Sequence, residues 1–174
     1  ILVSQHPVTT EYGTGEDQIE ATLKAVKRLD MQAIILWPNA DAGSDEISRG
    51  IRKWREKGFD SKMHFFKNLP VDIYINLMKM TACLVGNSSS GIREGAFIGT
   101  PVVNIGSRQS NREKGKNVLD VKSNEEDIYN GIKKQIEIGR YIKEDIYGDG
   151  NAGERIAKIL FELNEINVQK CITY

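Results

Sequence analysis

The sequence predicts an α/β fold of three layers, with helices on both faces of a mostly parallel sheet of about six strands. Short β-rich runs alternate with longer stretches of helical period, the pattern of successive βα units. Most of those short runs are apolar on both faces, as strands covered from each side must be. The runs occupy residues 1–5, 32–37, 62–66, 82–86, 101–105 and 117–121.

The helical segments follow in order. In "GEDQIEATLKAVKRLD", Ile19, Leu23, Val26 and Leu29 recur at spacings of four and three, which builds one apolar face. Its acidic start and basic end suit the helix dipole. "GSDEISRGIRKWREKG" repeats the design: Ser44 is placed to cap the start, Ile47, Ile51 and Trp54 line one side, and Gly58 closes it. "PVDIYINLMKM" opens with Pro70, whose missing N–H costs nothing at a helix start. Ile128, Ile132 and Ile136 mark a helix after the sixth strand, and Ile156, Ile159, Leu160 and Leu163 mark an amphipathic one near the C-terminus.

A chain of 174 residues fits one domain, able to bury about 70% of the surface its unfolded form exposes. Lys plus Arg and Asp plus Glu both number 24, so no global field attracts nucleic acid or an anionic membrane, and any anion site must be local. Cys83 and Cys171 suggest neither a disulfide framework nor metal-ligand spacing. No metal and no cofactor are expected, and a reducing cytoplasm fits. No apolar run approaches the ~20 residues of a membrane-spanning helix, so the expectation is a soluble protein. The chain opens on a strand-like residue without an initiator Met, which suggests a fragment; the final "NVQKCITY" reads as a frayed tail.

The most informative stretch is "GNSSSGIREG", residues 86–95, where an apolar strand hands over to a helix. In open α/β sheets ligands settle beyond the carboxyl ends of strands, where loops lead into helix N-termini. There Ser88, Ser89, Ser90 and Gly91 can present amides and hydroxyls to a phosphate, with Gly91 permitting close backbone approach. Glu94, one turn in, would be repelled by phosphate and suits the paired hydroxyls of a ribose. Together they suggest a nucleoside diphosphate. The plainer reading is that Ser88 caps the helix and Glu94 forms a solvent ion pair. The stretch is neither a Walker loop nor a GxGxxG turn.

Three other strand ends converge on the same edge. His6 follows the first strand in "QHPVTTE", where an imidazole can donate a proton or a hydrogen bond to a leaving diphosphate. Asn39 follows the second in "WPNADAGS", a stretch whose composition also fits an ordinary turn. Arg108 follows the fifth in a polar loop that reads by default as solvated; opposite a phosphate nest it would supply a forked donor. The other histidine, His64 in "KMHFFK", reads as structural.

Taken together, "QHPVTTE", "WPNADAGS", "GNSSSGIREGAFIGTPVVNIGSRQSNREKGKNV" and "IYGDGNA" resemble the C-terminal half of the UDP-GlcNAc 2-epimerases, in order and across nearly the whole chain. The likeness is to the hydrolysing branch, which releases UDP and the free 2-epimer sugar and feeds sialic-acid-type pathways. The non-hydrolysing branch typically reads His-Arg-Arg-Glu-Asn where this chain has "HPVTTE", and Thr-Glu-Arg-Pro-Glu where it has "SRQSNRE".

The resemblance implies a GT-B architecture of two Rossmann-like domains facing across a cleft. Residues 1–166 would be the second, UDP-binding domain, 167–174 a tail, and the N-terminal domain would be absent. Carried over by residue, Ser88 and Ser89 would hold the phosphates, Glu94 the ribose, Arg108 and Asn39 the nucleotide or its diphosphate, and His6 would be the histidine needed for activity. The uracil would lie against backbone near residues 65–69. The family's proposed acid and base carboxylates belong to the first domain, so the chain alone is expected to bind UDP without turnover. The implied partners are UDP, a UDP-sugar (UDP-GlcNAc or UDP-N,N'-diacetylbacillosamine) and the N-terminal domain, with a homo-oligomer at full length. Two other readings remain open: a GT-B glycosyltransferase domain and a non-catalytic UDP-sugar sensor.

Overall fold

The computed structural model describes residues 1–58 and 61–163. Among the described residues six strands are present where six apolar runs predict them: β1 (Leu2–Ser4), β2 (Ala33–Leu36), β3 (Met63–Phe66), β4 (Leu84–Gly86), β5 (Val102–Ile105) and β6 (Val118–Val121). Between and after them run α1 (Gly15–Arg28), α2 (Ser44–Glu56), α3 (Val71–Met80), α4 (Ser89–Ile98), α5 (Glu125–Ile138) and α6 (Ala152–Glu162). The expected tail at 167–174, Cys171 and the domain limit at 166 lie outside the described residues.

All strands pair in parallel in the order β3-β2-β1-β4-β5-β6. Burial follows position: β1, β4 and β5 are wholly buried, whereas the edge strands β3 and β6 expose His64, Phe66 and Asp120. Side chains alternate between the two faces. Val3, Val85, Val103 and Ile105 meet Ile19, Leu23, Ile47, Ile51, Ile128 and Ile132 of α1, α2 and α5. Leu2, Leu84 and Val102 turn the other way to Met78 of α3. This is a Rossmann-like three-layer domain.

Some expectations are corrected. The N-cap of α2 is Gly43 in the left-handed region, and Ser44 is the first helical residue without a side-chain cap bond. The helix α6 forms, but its apolar stripe is open: Ile156, Ile159 and Leu160 are 56–61% exposed, and none of the residues of α6 is buried. Amphipathic periodicity states which face is apolar, not what covers it. His64 needs no correction: it is a solvated residue of the edge strand β3, with Nε2 2.8 Å from Gln32 Oε1. Cys83 is buried, and burial pushes its thiol up to about 12.

Candidate functional site

The strand order reverses between β1 and β4, and at such a switch point the two outgoing loops part and leave a crevice. Gly86 makes this junction possible. Its φ is +136°, and a Cβ there would lie 2.1 Å from the Ser4 carbonyl oxygen of β1, so only glycine fits.

Beyond Gly86 the chain enters α4 through Asn87 and Ser88. Ser88 is the N-cap, its Oγ accepting from the Ser90 N–H at a long 3.4 Å. The N–H groups of Ser88 and Ser89 have no acceptor among the described residues. A chain of hydroxyls links Tyr74 to Ser90 (2.6 Å) and Ser90 to Ser88 (2.9 Å). Behind the turn, Asn117 donates to the carbonyls of Gly91 (3.2 Å) and Thr100 (2.9 Å), which pins the start of the helix.

His6, the first loop residue but one after β1, is buried. Its Nδ1 accepts from the Asn39 N–H at 3.3 Å, which leaves the proton of the neutral ring on Nε2. Among the described residues, the hydrogen-bonding partner of Nε2 is Ser4 Oγ, at 3.5 Å, too long for a firm bond. Burial pulls the imidazole below its ordinary pKa; the Arg108 guanidinium adds to this, and Asp41 opposes it. A neutral His6 is therefore a hydrogen-bond donor through Nε2, not a cation.

His6, Asn39, Ser88 and Ser90 line one cleft of about 240 Å³ together with Trp37, Lys67, Asn68, Leu69 and Tyr74. The loop expected to face a base, after β3, is thus on the same cleft as the serine turn. Arg108 does not line it; its guanidinium donates to the Asn87 carbonyl (3.2 Å) and to Asp41 Oδ2 (3.3 Å), and its charge reaches His6. Glu94 is not on this cleft. It lines an adjoining hollow of about 720 Å³ with Lys79, Arg93, Phe97 and Tyr147, and its carboxylate forms neither an ion pair nor a hydrogen bond with any described residue. Gly91 has a packing reason of its own: a Cβ there would meet Leu84 Cδ2 at 2.6 Å and Val102 Cγ1 at 3.0 Å, so its bareness seats α4 on the sheet.

Sequence reading missed Asn87, which is almost wholly buried behind the turn, and Asp41, the partner of Arg108. Both stand inside the motifs that drew attention to Ser88 and Asn39. The one available signal was an Asn directly after the strand's last glycine.

The model of the UDP-N-acetylglucosamine 2-epimerase family matches residues 1–161. The chain belongs to the UDP-N-acetylglucosamine 2-epimerase family. Within it, the UDP-N,N'-diacetylbacillosamine 2-epimerase (hydrolyzing) of Legionella pneumophila subsp. pneumophila is 31% identical over 99% of this chain and 46% of its own length. The UDP-N-acetylglucosamine 2-epimerase of Neisseria meningitidis serogroup B is 29% identical over 89% of this chain and 41% of its own. The chain therefore spans less than half the length of these relatives. Among solved structures, the Methanocaldococcus jannaschii UDP-GlcNAc 2-epimerase in complex with UDP-GlcNAc and UDP superposes with a TM-score of 0.70 at 14% identity, over 92% of this chain and 44% of that one. At that identity the likeness is one of fold. No helix among the described residues is long and apolar enough to cross a membrane, and no group of three or more His, Cys, Asp or Glu among them is arranged to hold a metal.

Proposed function

We propose that this chain is the UDP-binding half of a hydrolysing, cytoplasmic UDP-GlcNAc 2-epimerase. A base supplied by the N-terminal domain removes the C2 proton while the C1–O bond breaks and its electron pair leaves with UDP. Water then adds to the unsaturated sugar and gives the free 2-epimer. In this reading the diphosphate lies on the open amides of Ser88 and Ser89, and Arg108 exchanges Asp41 for phosphate oxygen. His6 Nε2–H meets the oxygen on which negative charge develops, where a preorganised donor in a dry site contributes most. The uracil lies beside residues 67–69. Glu94 reaches the ribose only if its side chain turns from the adjoining hollow toward the cleft.

The observation that carries the reading is the open first turn of α4 facing a buried, neutral histidine across the switch point. The 31% identical relative named as hydrolysing favours that branch over the non-hydrolysing one. Calorimetry of the chain with UDP, UMP and uridine tests it. UDP is expected to bind at least tenfold more tightly than UMP, about 1.4 kcal/mol, and no UDP is expected to be released from UDP-GlcNAc. Equal affinity for UDP and uridine removes the diphosphate from the turn; release of UDP by this chain alone overturns the division of labour.

A further inference from the structure

We infer that Asn87 is the positioning residue of the His6 loop, its side-chain amide standing in for a strand residue where β1 and β4 part. The ladder between these strands ends at the pair Ser4 and Gly86. Two residues further, His6 is past the last ladder pair, yet its N–H donates to Asn87 Oδ1 at 2.7 Å and its carbonyl accepts from Asn87 Nδ2 at 2.8 Å. A side-chain amide carries the donor and acceptor of a peptide group, so one residue closes both bonds. Alanine cannot, serine has a single oxygen on a shorter side chain where two atoms are needed, and aspartate would set a second oxygen against the His6 carbonyl.

Asn87 is itself held on every side. It is 1% exposed, its N–H donates to the Ser4 carbonyl (3.2 Å), and its carbonyl accepts from Gln109 Nε2 (2.8 Å) and Arg108 (3.2 Å). The loops after β1, β4 and β5 are thereby tied through one residue. The Asn39 N–H then sets the ring: Asn87 fixes the backbone of His6, and Asn39 its imidazole. Placing a reacting group within a fraction of an ångström requires such support. The clasp has its purpose only if His6 meets the leaving group, but its existence is tested without nucleotide.

Nuclear magnetic resonance on the chain reads it in two ways. Without any substitution, the His6 amide is expected to exchange with solvent as slowly as the Val3 amide inside β1; exchange as fast as that of the exposed Tyr12 overturns the clasp. In Asn87→Ala, water gains access to the ring, whose charged neighbours Arg108 and Asp41 remain. The His6 titration midpoint is expected to rise toward 6.5, and the ring nitrogens to lose their preference for the Nε2–H form. Gln109→Met, which removes one of the two donors to the Asn87 carbonyl and leaves Arg108 on it, is expected to shift both in the same direction by less, and it carries the test if the alanine variant does not fold. A merely structural Asn87 lowers stability and leaves both readouts unmoved, which would overturn the proposal. A chain that shows these shifts yet binds no UDP keeps the clasp and loses the nucleotide reading.

Discussion

Helices α1 and α4 follow the adjacent strands β1 and β4 and begin at the same edge of the sheet, yet their first turns are met differently. At α1 the N–H groups of Gly13 and Gly15 donate to the two carboxylate oxygens of Glu46, at 3.1 and 2.9 Å, so a side chain from α2 supplies the anion that a helix N-terminus attracts. The first turn of α1 also carries Glu16 and Asp17. At α4 there is no acidic residue in the first turn, and the amides of Ser88 and Ser89 have no acceptor among the described residues. The nearby carboxylate, Asp41, is taken by Arg108 instead. Two equivalent dipoles thus have different fates: one is completed from within, the other is left for an anion from outside.

The largest break in this comparison comes from its glycines. Gly86→Ala sets a Cβ 2.1 Å from backbone that cannot move and demands a left-handed conformation, so a loss of more than about 3 kcal/mol is expected from urea unfolding. Gly15→Ala places its Cβ 2.9 Å from Glu46 Oε2, which can swing away, and 3.0 Å from Glu46 Cβ, which asks α2 to give by a few tenths of an ångström, so a smaller loss of about 1 to 2 kcal/mol is expected. Similar losses in both would mean that β1 and β4 do not approach as closely as the switch point requires.

Exchanging the anions sharpens the contrast. Ser89→Asp gives α4 the internal carboxylate that α1 already has. It is expected to weaken UDP binding at least tenfold, about 1.4 kcal/mol, while stability stays level or rises by a few tenths. Glu46→Gln is expected to do the reverse: about 1 kcal/mol lost in unfolding and the UDP isotherm unchanged. If Ser89→Asp leaves UDP affinity intact, the open turn is not the phosphate site.

How much of the molecule was legible depends on the range of the forces involved. The strands were, because burial from both sides leaves an apolar run that needs no partner to be recognised; each is one or two residues shorter than its run, at Gln5 because the ladder stops before the burial does and at Gln32 because the run already reaches solvent. The convergence of His6, Asn39 and Ser88 was legible too, since parallel topology alone brings alternate loop ends to one edge. What stayed hidden is tertiary. Glu46 reads as a good residue for the first turn of its own helix, and nothing local shows that it serves a helix 31 residues earlier. Asn87 after a glycine reads as a turn, and only the parting of β1 from β4 gives it two bonds to His6.

Ser88→Ala separates capping from ligand binding at the same residue. The cap bond is long, so its removal is expected to lower stability by no more than about 1 kcal/mol. A serine that only caps would leave UDP affinity untouched. A serine that also meets the diphosphate makes it fall several-fold, which is the expected outcome, measured by calorimetry at a temperature where the variant is fully folded.

The smallest effect separates Asp41 from Glu46, the two carboxylates that answer positive charge on this edge. Because the folded His6 titrates below the unfolded imidazole, the unfolded chain binds the extra proton in the interval between the two, so this residue's contribution to stability is complete above about pH 6.5 and declines as the pH falls through that interval. From pH 6.5 to about 6 the loss is at most about 0.7 kcal/mol, read as the unfolding free energy of the unaltered chain minus that of His6→Gln. Asp41 raises the His6 midpoint, so Asp41→Asn is expected to lower it and widen the interval, whereas Glu46→Gln, whose carboxylate is committed to α1, is expected to leave the His6 titration where it was. A His6 midpoint that responds to Glu46 and ignores Asp41 would reverse the assignment of the two anions, and α4 would no longer be the helix left open.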